Sequence, residues 1–213
     1  MRIYIALLRG INVSGKKIVP MPELKQVFTA AGYSSVTTYI NSGNVIFKSG
    51  KSDPDGIRQI LEKGIEARFG FEVKVIVIGL DELNRYLSEC PFKEDALGAG
   101  EKIYLTLLSK LPSKQEVGAI EIKKGDIDEH VLRGKVVYLL VKNGYSNTSL
   151  NNTFLENVND SHQWPDAVNC ISALWALIYE RSLRRSNGIV NCSGADKLPY
   201  RIDPDKYYRY ADY

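Results

Sequence analysis

LLRGINVSGKKIVPMP, residues 7–22, carries an apolar run into a loop rich in glycine, asparagine and lysine, and YINSGNVIF, residues 39–47, places a polar turn between two β-prone runs. Working outward from these strings, Ile3–Leu8 reads as a buried strand and Gly10–Val19 as the loop leaving it. MPELKQVFTAAG then spaces Leu24, Val27, Phe28 and Ala31 on one helical face, with Pro22 in the first turn and Gly32 at the stop. Val36–Ile40 and Val45–Lys48 flank Asn41-Ser42-Gly43-Asn44, a hairpin signature. A second helix starts near Asp53-Pro54, with Ile57, Ile60, Leu61, Ile65 and Phe69 on one face, and Val73–Ile78 closes the set as a strand. The order is βαββαβ, so the expected class is α+β, with a ferredoxin-like unit over residues 1–90.

The second half repeats that order in outline. Asp81–Ser88 reads as a connecting helix, and Cys90-Pro91 through Gly98-Ala99-Gly100 as a linker. Ile103–Leu108 is a strand, Ser113–Lys123 a helix, His130–Arg133 and Val136–Val141 a hairpin turning at Gly134, and Leu150–Val158 a helix. A short strand near Ala167–Cys170, leading into a run of helical period, completes a second, similar α+β unit over residues 100–186. No residue-level repeat supports duplication; the inference rests on element order. Residues 187–213 form an extension rich in tyrosine and charge, read either as a segment packing its rings on the body or as an aromatic binding surface.

Composition bounds the function. The 213 residues, 44% of them hydrophobic, suffice for ordinary globular cores. Interspersed charges with a net of +3 are too mild a balance to imply nucleic acid. Cys90, Cys170 and Cys192 lie too far apart for a redox or zinc motif, so free thiols in a reducing compartment are expected. The run after Arg2 is short for a signal-peptide core and no stretch reaches membrane-spanning length, so the expectation is a cytoplasmic protein with no membrane association.

Gly10–Lys17, GINVSGKK, fits the first seven positions of a phosphate-binding loop and fails at the eighth, where Lys17 stands in place of the magnesium-binding serine or threonine. Pro20 and Pro22 also keep a helix from starting directly after Lys16. What remains is a flexible loop with amide donors and the cations Arg9, Lys16 and Lys17. In a βαββαβ sheet the first and second strands run the same way, so this loop and the Asn41–Asn44 turn leave at one end. Arg9 and Lys16 as charge partners, Asn12, Asn41 and Asn44 as amides and Ser42 as a hydroxyl then suit a phosphate or carboxylate. The competing reading is architectural, because asparagine tolerates left-handed geometry and bonds its own backbone, and Arg9 can brace the turn.

No other constellation carries chemistry. His130 and His162 lack partners at metal spacing, no nucleophile elbow is present, and Asp126, Asp128 and Glu129 read as a solvated acidic turn, with chelation of a hard cation as the lesser alternative. Arg181, Arg184 and Arg185 suit a helix C-terminus, with nucleic-acid contact as the lesser alternative. The sequence therefore identifies no catalytic residue, metal site or cofactor, and leaves open whether the protein is an enzyme and what its oligomeric state is. A small-molecule anion binder is the leading reading; a non-catalytic module contacting protein or nucleic acid through a sheet face or the tyrosine-rich tail is the alternative.

LLRGINVSGKK, VPMPELKQ and TYINSGNVIF resemble the DUF1697 family of small bacterial proteins in motif order and separation. KIYLTLLS, RGKVVYLLVKNGY and NNTFLE resemble it more loosely, carrying over Asn143, Gly144 and Asn152. The resemblance implies α+β ferredoxin-like units and no established activity. Ser149 stands where relatives show lysine, and Val168-Asn169-Cys170 where they show Arg-Asn-Trp, so any site those groups form in relatives is altered in this chain.

Overall fold

In the computed structural model, residues 1–13, 15–39, 43–122, 128–142, 144, 147–149 and 167–171 are described. The first half comprises β1 (Arg2–Leu8), α1 (Met21–Ala30), β2 (Ser34–Tyr39), β3 (Asn44–Ser49), α2 (Pro54–Phe69) and β4 (Val75–Gly79). It forms a four-stranded sheet in the order β2-β3-β1-β4, with β1 antiparallel to both β3 and β4. After α3 (Leu80–Ser88) come β5 (Lys102–Leu108), α4 (Lys114–Ile122), β6 (Glu129–Arg133), β7 (Val136–Val141) and β8 (Ala167–Ile171). Their sheet runs β6-β7-β5-β8, the same order with each strand advanced by four. The anticipated closing strand is thus β8, while the anticipated helix Leu150–Val158 and the extension 187–213 lie outside the described residues.

Local chemistry explains the element ends. Helix α1 begins with Pro22 in its first turn and ends where Gly32, at φ +86°, turns the chain left-handed. There Gly32 N donates to Thr29 O and Tyr33 N to Phe28 O, while the Phe28 and Tyr33 rings meet edge to face at 6.4 Å. Asp53 caps α2 by accepting from the amides of Asp55 and Gly56. Ser113 and Glu116 cap α4 reciprocally, each side chain accepting from the other's backbone amide.

Strand alternation sorts the core into two layers. Tyr4, Ala6 and Leu8 of β1, with Val45, Phe47 and Val75, pack against Leu24, Val27 and Phe28 of α1 and Ile57, Leu61 and Ile65 of α2. Ile5 and Leu7, with Ile76 and Ile78, face the other way and pack on Leu105, Leu107, Val136 and Tyr138 of the second sheet. The strand at Ile3–Leu8 reads as an unbroken apolar run because β1 is covered on both faces. Thr106, Leu108, Val137, Leu139 and Val141, on the far face of the second sheet, are also buried.

The expected connecting helix and the first residues of the expected linker do more than connect. Leu83, Tyr86, Leu87, Cys90 and Phe92 join the core between the sheets, and a 3-10 turn at Glu94–Ala96 follows. Arg133 Nη1 donates to Glu89 O at 2.6 Å, tying the β6–β7 hairpin to the end of α3.

Candidate functional site

The loop between β1 and α1 is cross-braced. Asn12 N donates to Lys17 O at 3.2 Å and Lys16 N to Val13 O at 3.0 Å, making a miniature hairpin with a bridge between Val13 and Lys16. The Asn12 carboxamide closes its base, accepting from Val19 N at 2.8 Å and donating to Val19 O at 3.0 Å. Its φ of +55° is one that asparagine tolerates better than most residues. Ile11 and Val19 are buried beneath this brace. Lys17 Nζ donates to Glu72 O at 2.8 Å, fastening the loop to the approach to β4.

These bonds correct two expectations. The loop is bound to itself and to the 72–74 segment rather than free, and the amides of Arg9, Asn12, Lys16 and Val19 all donate within the protein. A phosphate-binding loop aims its amides at the ligand; the amide of Lys16, at the position of that motif's lysine, is instead spent on Val13 O. The Asn12 carboxamide braces the loop through its two bonds to Val19.

The juxtaposition of loop and turn is found. Leu8 N donates to Gly43 O at 3.2 Å, and Leu7 lies opposite Asn44 in the sheet. Gly43, at φ +80°, sits so close that a Cβ would come within 2.6 Å of Ile11 Cδ1 and 2.9 Å of Leu8 Cβ. Any side chain there would force the turn off the loop. Arg9 is half-buried at the head of the loop, Lys16 is exposed at its tip, and Asn44 is half-buried as the first residue of β3. Asn41 and Ser42 lie outside the described residues.

Lys74 is the cation that sequence reasoning missed. Arg9 N donates to Lys74 O at 2.9 Å, continuing the β1–β4 pairing past Leu8 and bringing exposed Lys74 to the same sheet end. Only the strand register reveals this neighbour, since 65 positions separate the two residues.

A concavity lies elsewhere, along the outer edge of β4, a cavity of 160 Å³ between the N-terminal part of α2, α3, the end of β5 and the turn before β7. Glu62 bridges its side, accepting from Arg58 Nη1 at 2.8 Å and from the edge amide of Val75 at 3.0 Å. Tyr86 donates to Glu82 Oε1 at 2.6 Å; burial, then this hydrogen bond, raise its pKa. Its acids and bases pair largely with each other.

No cluster of histidine, cysteine and acid residues able to hold a metal occurs among the described residues. Asp128 and Glu129 are engaged with Lys142, through its amide and its ammonium respectively. No helix among the described residues is long and apolar enough to cross a membrane.

Fold and surface define a small α+β protein of two stacked antiparallel sheets, with a braced basic loop at one sheet end. The chain belongs to DUF1697, a family described as protein of unknown function, whose profile matches residues 1–138. A solved structure of a conserved bacterial protein from Streptococcus pneumoniae is similar, with a TM-score of 0.64 at 24% identity, covering 84% of this chain and 97% of that one. That likeness carries the fold. No curated protein matches the chain.

Proposed function

We propose that this is a binding protein for a small anionic molecule bearing a phosphate or carboxylate, held at the sheet end where the β1–α1 loop meets the β2–β3 turn. The carrying observation is one sheet end shared by Arg9 after β1, Lys74 paired with it on one side and Gly43 and Asn44 on the other, with Lys16 in the cross-braced loop that leaves the same end. Arg9, Lys16 and Lys74 supply charge, Asn44 with Asn41 and Ser42 supplies polar contacts, and Asn12 holds the loop in shape. A preformed loop spends little of its binding energy on ordering itself. The side chains, not the backbone amides, are the donors in this reading.

The alternative, a module using an exposed sheet face, has less support because both faces of each sheet are buried at the positions named above. We place the protein in the cytoplasm as part of this reading. A thermal-shift screen of phosphorylated metabolites and polycarboxylates tests the proposal, repeated on Arg9→Ala and Asn44→Ala. The expected result is stabilisation of the wild type and a reduced shift in both variants; no shift with any compound, or equal shifts in both variants, contradicts it.

A further inference from the structure

The anion site described above leaves one feature of the same loop unused. Val13 and Ile18 are 59% and 57% exposed, although the backbone that carries them is hydrogen-bonded on both sides. Between them stand Lys16 and Lys17, and the neighbouring aliphatics Ile11 and Val19 are buried at 3% and 2%. The loop thus alternates roles along its length. Ile11 and Val19 anchor it into the core, and Val13 and Ile18 are held out into solvent on a frame that does not let them collapse inward.

Scattered exposed aliphatics need no explanation. Two on one braced hairpin, interleaved with lysines at the cationic end of a sheet, form an amphipathic tip. Lys16 is paired across the bridge from Val13, and Lys74 and Arg9 lie at the hairpin's base. Aliphatic groups that enter the acyl boundary, beside ammonium groups long enough to stay at headgroup level, suit an anionic lipid surface. Protein interfaces are enriched in aromatic side chains and depleted in lysine, whereas the exposed residues of this hairpin are valine, isoleucine and lysine.

We infer that this loop docks the protein peripherally on an anionic phospholipid surface, Val13 and Ile18 entering the bilayer boundary while Lys16, Lys74 and Arg9 meet the headgroup phosphates. The inference rests on the anion-site reading and names the lipid headgroup as the source of the phosphate. It requires no membrane-spanning segment, and it departs from the sequence expectation of no membrane association.

Co-sedimentation with phosphatidylcholine vesicles, with and without phosphatidylglycerol, tests it, alongside a thermal-shift titration with glycerol phosphate as the soluble headgroup probe. The wild type should pellet with the anionic vesicles and not with the neutral ones. Val13→Ser/Ile18→Ser should lose vesicle affinity by about tenfold or more, yet keep its melting temperature and its response to glycerol phosphate. Lys16→Glu should lose both responses.

A wild type that responds to glycerol phosphate but stays in the supernatant with anionic vesicles overturns the lipid inference and leaves the anion site standing; failure of both responses overturns the lipid inference, and the anion site falls with it when no compound of the metabolite and polycarboxylate screen shifts the melting temperature. Equal binding to neutral vesicles, or undiminished vesicle binding by the double serine variant, also overturns the inference. So does a double serine variant that changes only self-association on size exclusion, which would assign the tip to protein contact.

Discussion

The hydroxyl of Tyr138, fully buried in the second sheet, donates to the backbone oxygen of Tyr86 at 2.7 Å. Tyr86 lies in the last turn of α3, where carbonyls lack partners within the helix. A strand of the second half thus completes the end of a helix that follows the first. Tyr138→Phe keeps the ring and leaves that oxygen without its donor. The expected cost is about 1–2 kcal/mol, read as a lower urea midpoint with an unchanged denaturant slope.

The same hydroxyl should make stability sensitive to alkali. Burial, with the nearby Glu89 carboxylate adding to it, raises the Tyr138 pKa above the ordinary 10.0, and burial raises Tyr33 in the same direction. A phenol whose pKa is higher folded than unfolded binds its proton more tightly in the native state. That contribution is fully present below pH 10.0, the unfolded value, and is lost as pH rises towards the folded value. Stability should fall as pH climbs past 10, more steeply in wild type than in Tyr138→Phe. Urea midpoints measured across that range check it.

Gly43→Ala should be destabilising. The new Cβ meets Ile11 Cδ1 at 2.6 Å and Leu8 Cβ at 2.9 Å, on a backbone at φ +80°. The expected loss is about 1–3 kcal/mol, visible as a lower melting temperature, because the collision is with the core side of the loop.

Asn12 separates brace from backbone strain. Asn12→Gly retains easy access to φ +55° and removes both bonds to Val19, whereas Asn12→Ala removes the bonds and adds left-handed strain. Both should lower stability, alanine by about 1 kcal/mol more than glycine. Thermal denaturation of the pair measures the difference.

Much of this architecture was legible because its signals are local. The unbroken run at Ile3–Leu8, the period of Ile57, Leu61 and Ile65, and the glycines at 32, 43 and 134 each report a backbone state directly. β8 was legible even though a helical pattern follows it. The fate of Asn12 was not, since asparagine chemistry allows a ligand contact and a brace alike and the choice depends on where Val19 lies. Lys74 and the Tyr86–Tyr138 bond were also hidden. Strand register creates the first neighbour and sheet stacking the second, and no spacing within a single segment encodes either.

The central claim is that the sheet end at Arg9, Lys16, Lys74 and Asn44 receives an anion. Its most direct test is a backbone amide NMR titration of the full chain with glycerol phosphate. The expected result is a saturable set of shifts centred on residues 9–17, Gly43, Asn44 and Lys74, and abolished by Lys16→Glu. Shifts centred instead on the β4 groove around Arg58 and Tyr86, or no saturable shift at all, would contradict the claim.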